Sequence, residues 1–170
     1  MAQRTPAKKP GRPRDPNAPP KPTRPRDELG RPLAHEAENL LHLEDYDSLS
    51  IEENHRLGIA HFNARRFFPA HEAWETCWKQ AKGTEDAEFF KGLSQLGAGY
   101  VHFLRGNPHG AHTLLRRGAK RIARYGEFHG GVRSRILAST AMAQADSVEE
   151  AEKTGRSIPK IEFPHIDTDA

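Results

Sequence analysis

Residues 84–108, TEDAEFFKGLSQLGAGYVHFLRGNP, decide the fold class. Wound at about 100° per residue, Phe89, Phe90, Leu93, Leu96, Tyr100, Val101, Phe103 and Leu104 cover more than half of a helix's circumference. A helix apolar over so wide an arc is surrounded by others. Gly92, Gly97 and Gly99 each cost about 1 kcal/mol of helix propensity against alanine, a cost explained by close approach of neighbouring helices. Thr84 reads as an N-cap with Glu85 and Asp86 in the first turn. Gly106-Asn107-Pro108 reads as a stop followed at once by a new start.

Working outward, the periodicity predicts a first helix over 51–65 and a second beginning near Pro69 and ending at Gly83. A fourth runs over 108–125 and ends at Gly126. Beyond a Gly130-Gly131 hinge, two weaker helices are expected over 132–145 and 148–154, with Asp146 and Glu149 at capping-box spacing. No alternating strand pattern of useful length occurs. The expectation is an all-α chain: a compact bundle of about four core helices over 51–126, with a helical C-terminal extension and tail over 127–170. Residues 35–50 are transitional, with Leu40, Leu41, Leu43 and Tyr46 packing onto the domain as a short helix.

Charge divides the chain unevenly. Residues 1–32 hold nine of the thirteen prolines, nine Lys/Arg and three Asp/Glu, a net +6; the rest carries 17 basic and 20 acidic side chains, a net −3. The basic character thus belongs to the tail. Residues 1–34 bury too little apolar surface to offset the entropy of ordering, so this tail is expected to be disordered. A single cysteine, Cys77, excludes an internal disulfide framework and Cys-rich zinc sites and fits a cytoplasmic location. The longest charge-free run, 92–104, is thirteen residues and contains Ser94, Gln95 and His102. A membrane span needs about 20 apolar residues, so no membrane partner is expected. The N-terminus has no apolar stretch of the secretory-signal kind.

The segment richest in chemistry is 62–78, FNARRFFPAHEAWETCW. Relative to His71, Glu75 lies at about 40° and Trp78 at about 340° around the helix, at the margin of the buried face. Glu72, at about 100°, is expected to point with Lys79 towards water. Trp74 and Cys77 fall in the core arc. His71-x3-Glu75-x2-Trp78 is preceded by Phe62-Asn63 and Ala70. It is followed by Gly92-Leu93-x-Gln95-Leu96 and by Gly106-Asn107 with Gly110-Ala111. In this order the motifs resemble the family called domain of unknown function 309, over residues of roughly 52–125. Pro69 departs from the acidic residue expected there and leaves the pair untouched. The resemblance implies a helical fold and a suggested metal-binding role for His71 and Glu75, with Trp78 completing the motif, and no established activity.

A His and a carboxylate one turn apart can ligate one divalent ion, zinc or similar, but two ligands are too few. His102 is the candidate third ligand. It shares a stripe of the third helix with Gln95, which would orient the site from outside the ligand set. Two alternatives stand beside metal or small-ligand binding. One is a purely structural His71–Glu75 hydrogen bond that holds helix two and orients Trp78 in an interaction module. The other is nucleic-acid association. Arg116, Arg117, Lys120, Arg121 and Arg124 form one face of helix four, and Arg12 and Arg14 lie in KKPGRPR, which resembles a minor-groove AT-hook. No nucleophile or base accompanies the pair, so an enzyme is the lesser expectation; if one, it is a metal-dependent hydrolase.

Overall fold

A computed structural model describes residues 24–168. Within them lie five α-helices: α1 (Ile51–Asn63), α2 (Phe67–Gln80), α3 (Ala87–Leu104), α4 (Pro108–Ile122) and α5 (Ser134–Thr154), with 3-10 turns at Tyr46–Ser48 and Ala123–Tyr125. The described residues contain two isolated β-bridges, Arg26–Pro32 and His129–Val132, and no named strand. The protein is an all-α bundle.

Local chemistry sets the boundaries. Ser50 caps α1 in a reciprocal box: its Oγ accepts from Glu53 N at 3.2 Å and its own N–H donates to Glu53 Oε2 at 2.9 Å. The helix stops short of the expected residue 65 because Arg65 turns to φ 63°, the left-handed conformation that ends helices. Arg65 is held there by the Phe163 and Pro164 carbonyls, at 2.8 and 3.1 Å. Helix α2 begins two residues before Pro69, with Phe67 buried against Phe62 and Tyr100, ring centroids 5.1 and 5.0 Å away. Thr84 caps no α-helix; its Oγ1 accepts from Asp86 N in the turn before α3.

Helix α3 is central, packed between α2 and α4. Its glycines admit the neighbours. A Cβ on Gly97 would lie 3.1–3.2 Å from the N, Cα and Cβ of His71, and one on Gly118 of α4 would lie 2.7 Å from Gly92 O. Helix α4 then packs on α5, whose Leu137, Ala138, Ala141 and Ala145 join the same buried cluster as Trp74, Leu96 and Leu115.

Four further expectations change. The two helices after the glycine hinge are one, α5, with Asp146 and Glu149 inside it; both carboxylates turn to Arg116 instead of capping. That helix and the segment after it are integral to the bundle. Asn63 exchanges two hydrogen bonds with the Ile166 backbone, at 2.8 and 2.9 Å, and Ile166 is buried. The short helix near 40–46 is a single 3-10 turn, with Leu41 and Tyr46 buried and Leu40 and Leu43 exposed. Finally, part of the tail has a defined path: Arg105 Nε donates to Leu29 O at 3.0 Å, and Gly30 is buried against Phe68. Residues 1–23, with Arg12 and Arg14, lie outside the described residues.

Candidate metal centre between the second and third helices

The close contact at Gly97 brings the start of α2 against α3 and sets Ser94, one turn earlier on α3, beside the His71 ring. His71 Nδ1 lies 3.0 Å from Ser94 O and 2.9 Å from Ser94 Oγ. The other nitrogen, Nε2, faces two carboxylates: Glu75 Oε2 at 3.3 Å and Glu72 Oε1 at 3.7 Å. One ligand atom from each of His71, Glu72 and Glu75 lies within 4.8 Å of the others. All three side chains are partly exposed, at 23%, 35% and 32%, so the cluster opens to solvent on one side. Lys79 Nζ binds Glu75 Oε1 at 2.7 Å. That hydrogen bond, with the nearby imidazole, holds the Glu75 carboxyl below its ordinary range despite burial.

Two proton arrangements satisfy this ring. In one, Nδ1–H donates to the Ser94 carbonyl, the Ser94 hydroxyl donates to His71 O at 3.3 Å, and Nε2 presents a bare lone pair to the carboxylates. In the other, the hydroxyl donates to Nδ1 and Nε2–H donates to Glu75. A cation among the three groups favours the first, because lone pair and carboxylates otherwise repel. The residues therefore fit a divalent ion: an imidazole fixed by a backbone carbonyl, two hard oxygen donors and an open side.

Of the other expected members, His102 does not join the cluster. Its Nδ1 pairs with Asn107 Nδ2 at 2.9 Å, turned towards the start of α4. Partial burial, then the charges of Arg105 and His71, push its pKa down. Gln95 does not orient the site either; its Oε1 accepts from Arg121 Nε at 3.1 Å. The Gln95–Gly99–His102 stripe faces α4, as Leu115 against Gly99 and Gly110 against His102 show. Helix α2 meets the Ser94–Gly97 edge, roughly 130° away around α3. Trp78 is half-buried under two ammonium groups, with Lys91 Nζ 4.6 Å and Lys82 Nζ 5.8 Å from its ring. Glu72 was expected in water, yet the anchored imidazole reaches sideways to it. Ser94, the missed partner, was signalled only by being small, polar and one turn from a contact glycine.

The basic face of α4 is divided by its neighbours. Arg116 pairs with Asp146 at 2.5 Å and with Glu149, while Arg121 pairs with Glu88 and Gln95. Arg117, Lys120 and Arg124 are exposed and make no ion pair among the described residues. Cys77 is buried and free, its thiol pushed up to about 12 by burial, which disfavours the nucleophilic thiolate.

A second histidine escaped the sequence reading. Trp74 Nε1–H donates to His55 Nδ1 at 3.0 Å, and His55 Nε2 therefore carries the proton given to Gly130 O at 2.7 Å. The ring is held neutral, and burial pushes its pKa below the ordinary 6.5. As pH falls through 6.5 the unfolded chain takes up a proton that the native ring resists, so stability complete above that value declines below it. The urea midpoint is expected to fall between about pH 7 and 5, and to fall less in His55→Gln, whose amide can serve both partners. Parallel slopes for the two proteins would exclude His55 as the source.

The fold and site together define a small helical domain with a His/carboxylate cluster between α2 and α3. Residues 55–114 match the model of a protein family described as domain of unknown function (DUF309). The match holds every residue of the cluster and ends inside α4. No curated protein and no solved structure matches the chain. Among the described residues, no helix is long and apolar enough to cross a membrane.

Proposed function

We propose that this domain is a binding module that holds a divalent metal ion through His71 Nε2 and the carboxylates of Glu75 and Glu72, its open side admitting water or a small oxygen ligand. One observation carries the reading: an imidazole pinned through Nδ1 by Ser94, with Nε2 turned on two carboxylates at 3.3 and 3.7 Å. Such a metal would polarise an oxygen ligand as a Lewis acid. Lys79 offsets part of the acidic charge and leaves Glu75 Oε2 to the centre. A cytoplasmic setting belongs to the same proposal, supported by the buried free thiol of Cys77.

The test is metal content after equilibration with zinc or manganese, read with urea stability. The chain is expected to retain an equivalent of metal that His71→Ala loses. Glu75→Gln, which preserves a hydrogen-bond acceptor for Nε2–H, should weaken binding by about tenfold or more while leaving metal-free stability within about 1 kcal/mol. If His71→Ala keeps all of the metal, or the parent chain takes up none, the cluster is a hydrogen-bonded structural pair and the proposal is wrong.

A further inference from the structure

We infer that the chain carries a second site for a zinc-class transition metal, formed by His109 and His112 of α4 with Glu152 of α5, and that this site clasps the C-terminal helix onto the family domain. His109 and His112 are three apart on one helix and so share a face. Their rings stand edge to face with centroids 5.1 Å apart. Both turn to one carboxylate oxygen: Glu152 Oε2 lies 2.6 Å from His112 Nε2 and 3.6 Å from His109 Nδ1. One ligand atom from each residue lies within 4.8 Å of the others, two from imidazoles and one from a carboxylate.

The geometry suits a tetrahedral ion. Ligand atoms about 2.0–2.1 Å from zinc stand about 3.3 Å apart, so the 3.6 Å pair is nearly in place and the 2.6 Å pair need open only slightly. Two nitrogens and one oxygen favour zinc, cobalt, nickel or copper over magnesium or calcium. The surrounding charge favours a dication. Arg116 and Lys153 face Asp146, Glu149 and Glu152, two cations against three anions while the imidazoles are neutral. The three residues also divide by role. His112 is 8% exposed in its side chain and its bond to Glu152 holds α4 to α5 without any ion, whereas His109 is 76% exposed, its ring edge to face with His112 and its Nδ1 3.6 Å from Glu152 Oε2. A structural pair needs no second imidazole; a metal does.

This exposure makes His109→Ala the decisive variant, since its removal opens no cavity. Full-length chain and variant are titrated with Zn(II) and, in parallel, Co(II), following stoichiometry, the visible absorption of bound cobalt and the metal-induced rise in Tm. The parent is expected to bind one equivalent more than His109→Ala and to gain a Tm increment that the variant lacks. Unfolding curves without metal should coincide. Equal stoichiometry and equal Tm increments in the two proteins would overturn the inference, as would a parent chain that binds no zinc. The inference does not depend on the His71 centre: loss at one site shows in His71→Ala alone, loss at the other in His109→Ala alone.

Discussion

Trp74→Ala is expected to lower the stability of the protein by about 3–5 kcal/mol, the range for emptying a buried aromatic position. Trp74 is fully buried, and its ring packs on Phe62, 5.6 Å away between centroids, and on His55, 6.4 Å away. The loss has two parts. The cavity forfeits contacts from His55, Gly58 and Phe62 of α1, and His55 Nδ1 is left without the N–H that now satisfies it at 3.0 Å. Urea unfolding followed by far-ultraviolet circular dichroism measures the total, since tryptophan emission is itself altered by the change. A loss under about 1 kcal/mol would mean that α2 is not seated on this side chain.

Gly118→Val should cost about 3 kcal/mol, at the upper end of overpacking penalties, because it strikes backbone and not a flexible side chain. Its first added carbon would stand 2.7 Å from Gly92 O, 2.9 Å from Leu96 Cδ2 and 3.1 Å from Leu96 N. Gly92 meets the same wall in return, with Gly118 O 3.1 Å from its own missing Cβ. The two helices would have to part along a seam that carries Leu96, Leu115 and Ile122. Arg117→Val is the control. It places the same β-branched side chain one residue away at an exposed position, where it meets no wall and carries only the small propensity cost of replacing arginine by valine; at Gly118 the propensity change is favourable, so any loss there comes from the clash. Equal losses in the two variants would remove the claim of close contact.

The glycines show how far sequence reasoning reached. Their presence in an otherwise strongly apolar helix implied close neighbours, and the structure places α2 and α4 there. The sequence did not reveal which face met which helix. Gln95 and His102 lie on the side of α3 turned to α4, so they were wrongly assigned to His71, while Ser94 on the adjoining edge was passed over. A helical wheel orders side chains around one axis and contains nothing about how the next axis is rotated. Arg116 and Arg121 illustrate the same limit: amphipathic spacing identified their face, and only the approach of α5 and α3 supplied the carboxylates that occupy them.

What local sequence determined was the set of helices and the pairing of neighbours within a turn. Proline, glycine and capping side chains act over a few residues, and the His71–Glu75 spacing lies inside one turn. The tertiary structure alone decided which distant groups meet: Ser94 at His71, Glu152 at two histidines of α4, Ile166 at Asn63. Those meetings follow from the volumes that glycines and alanines leave between helices, and the packing of the whole core sets them together.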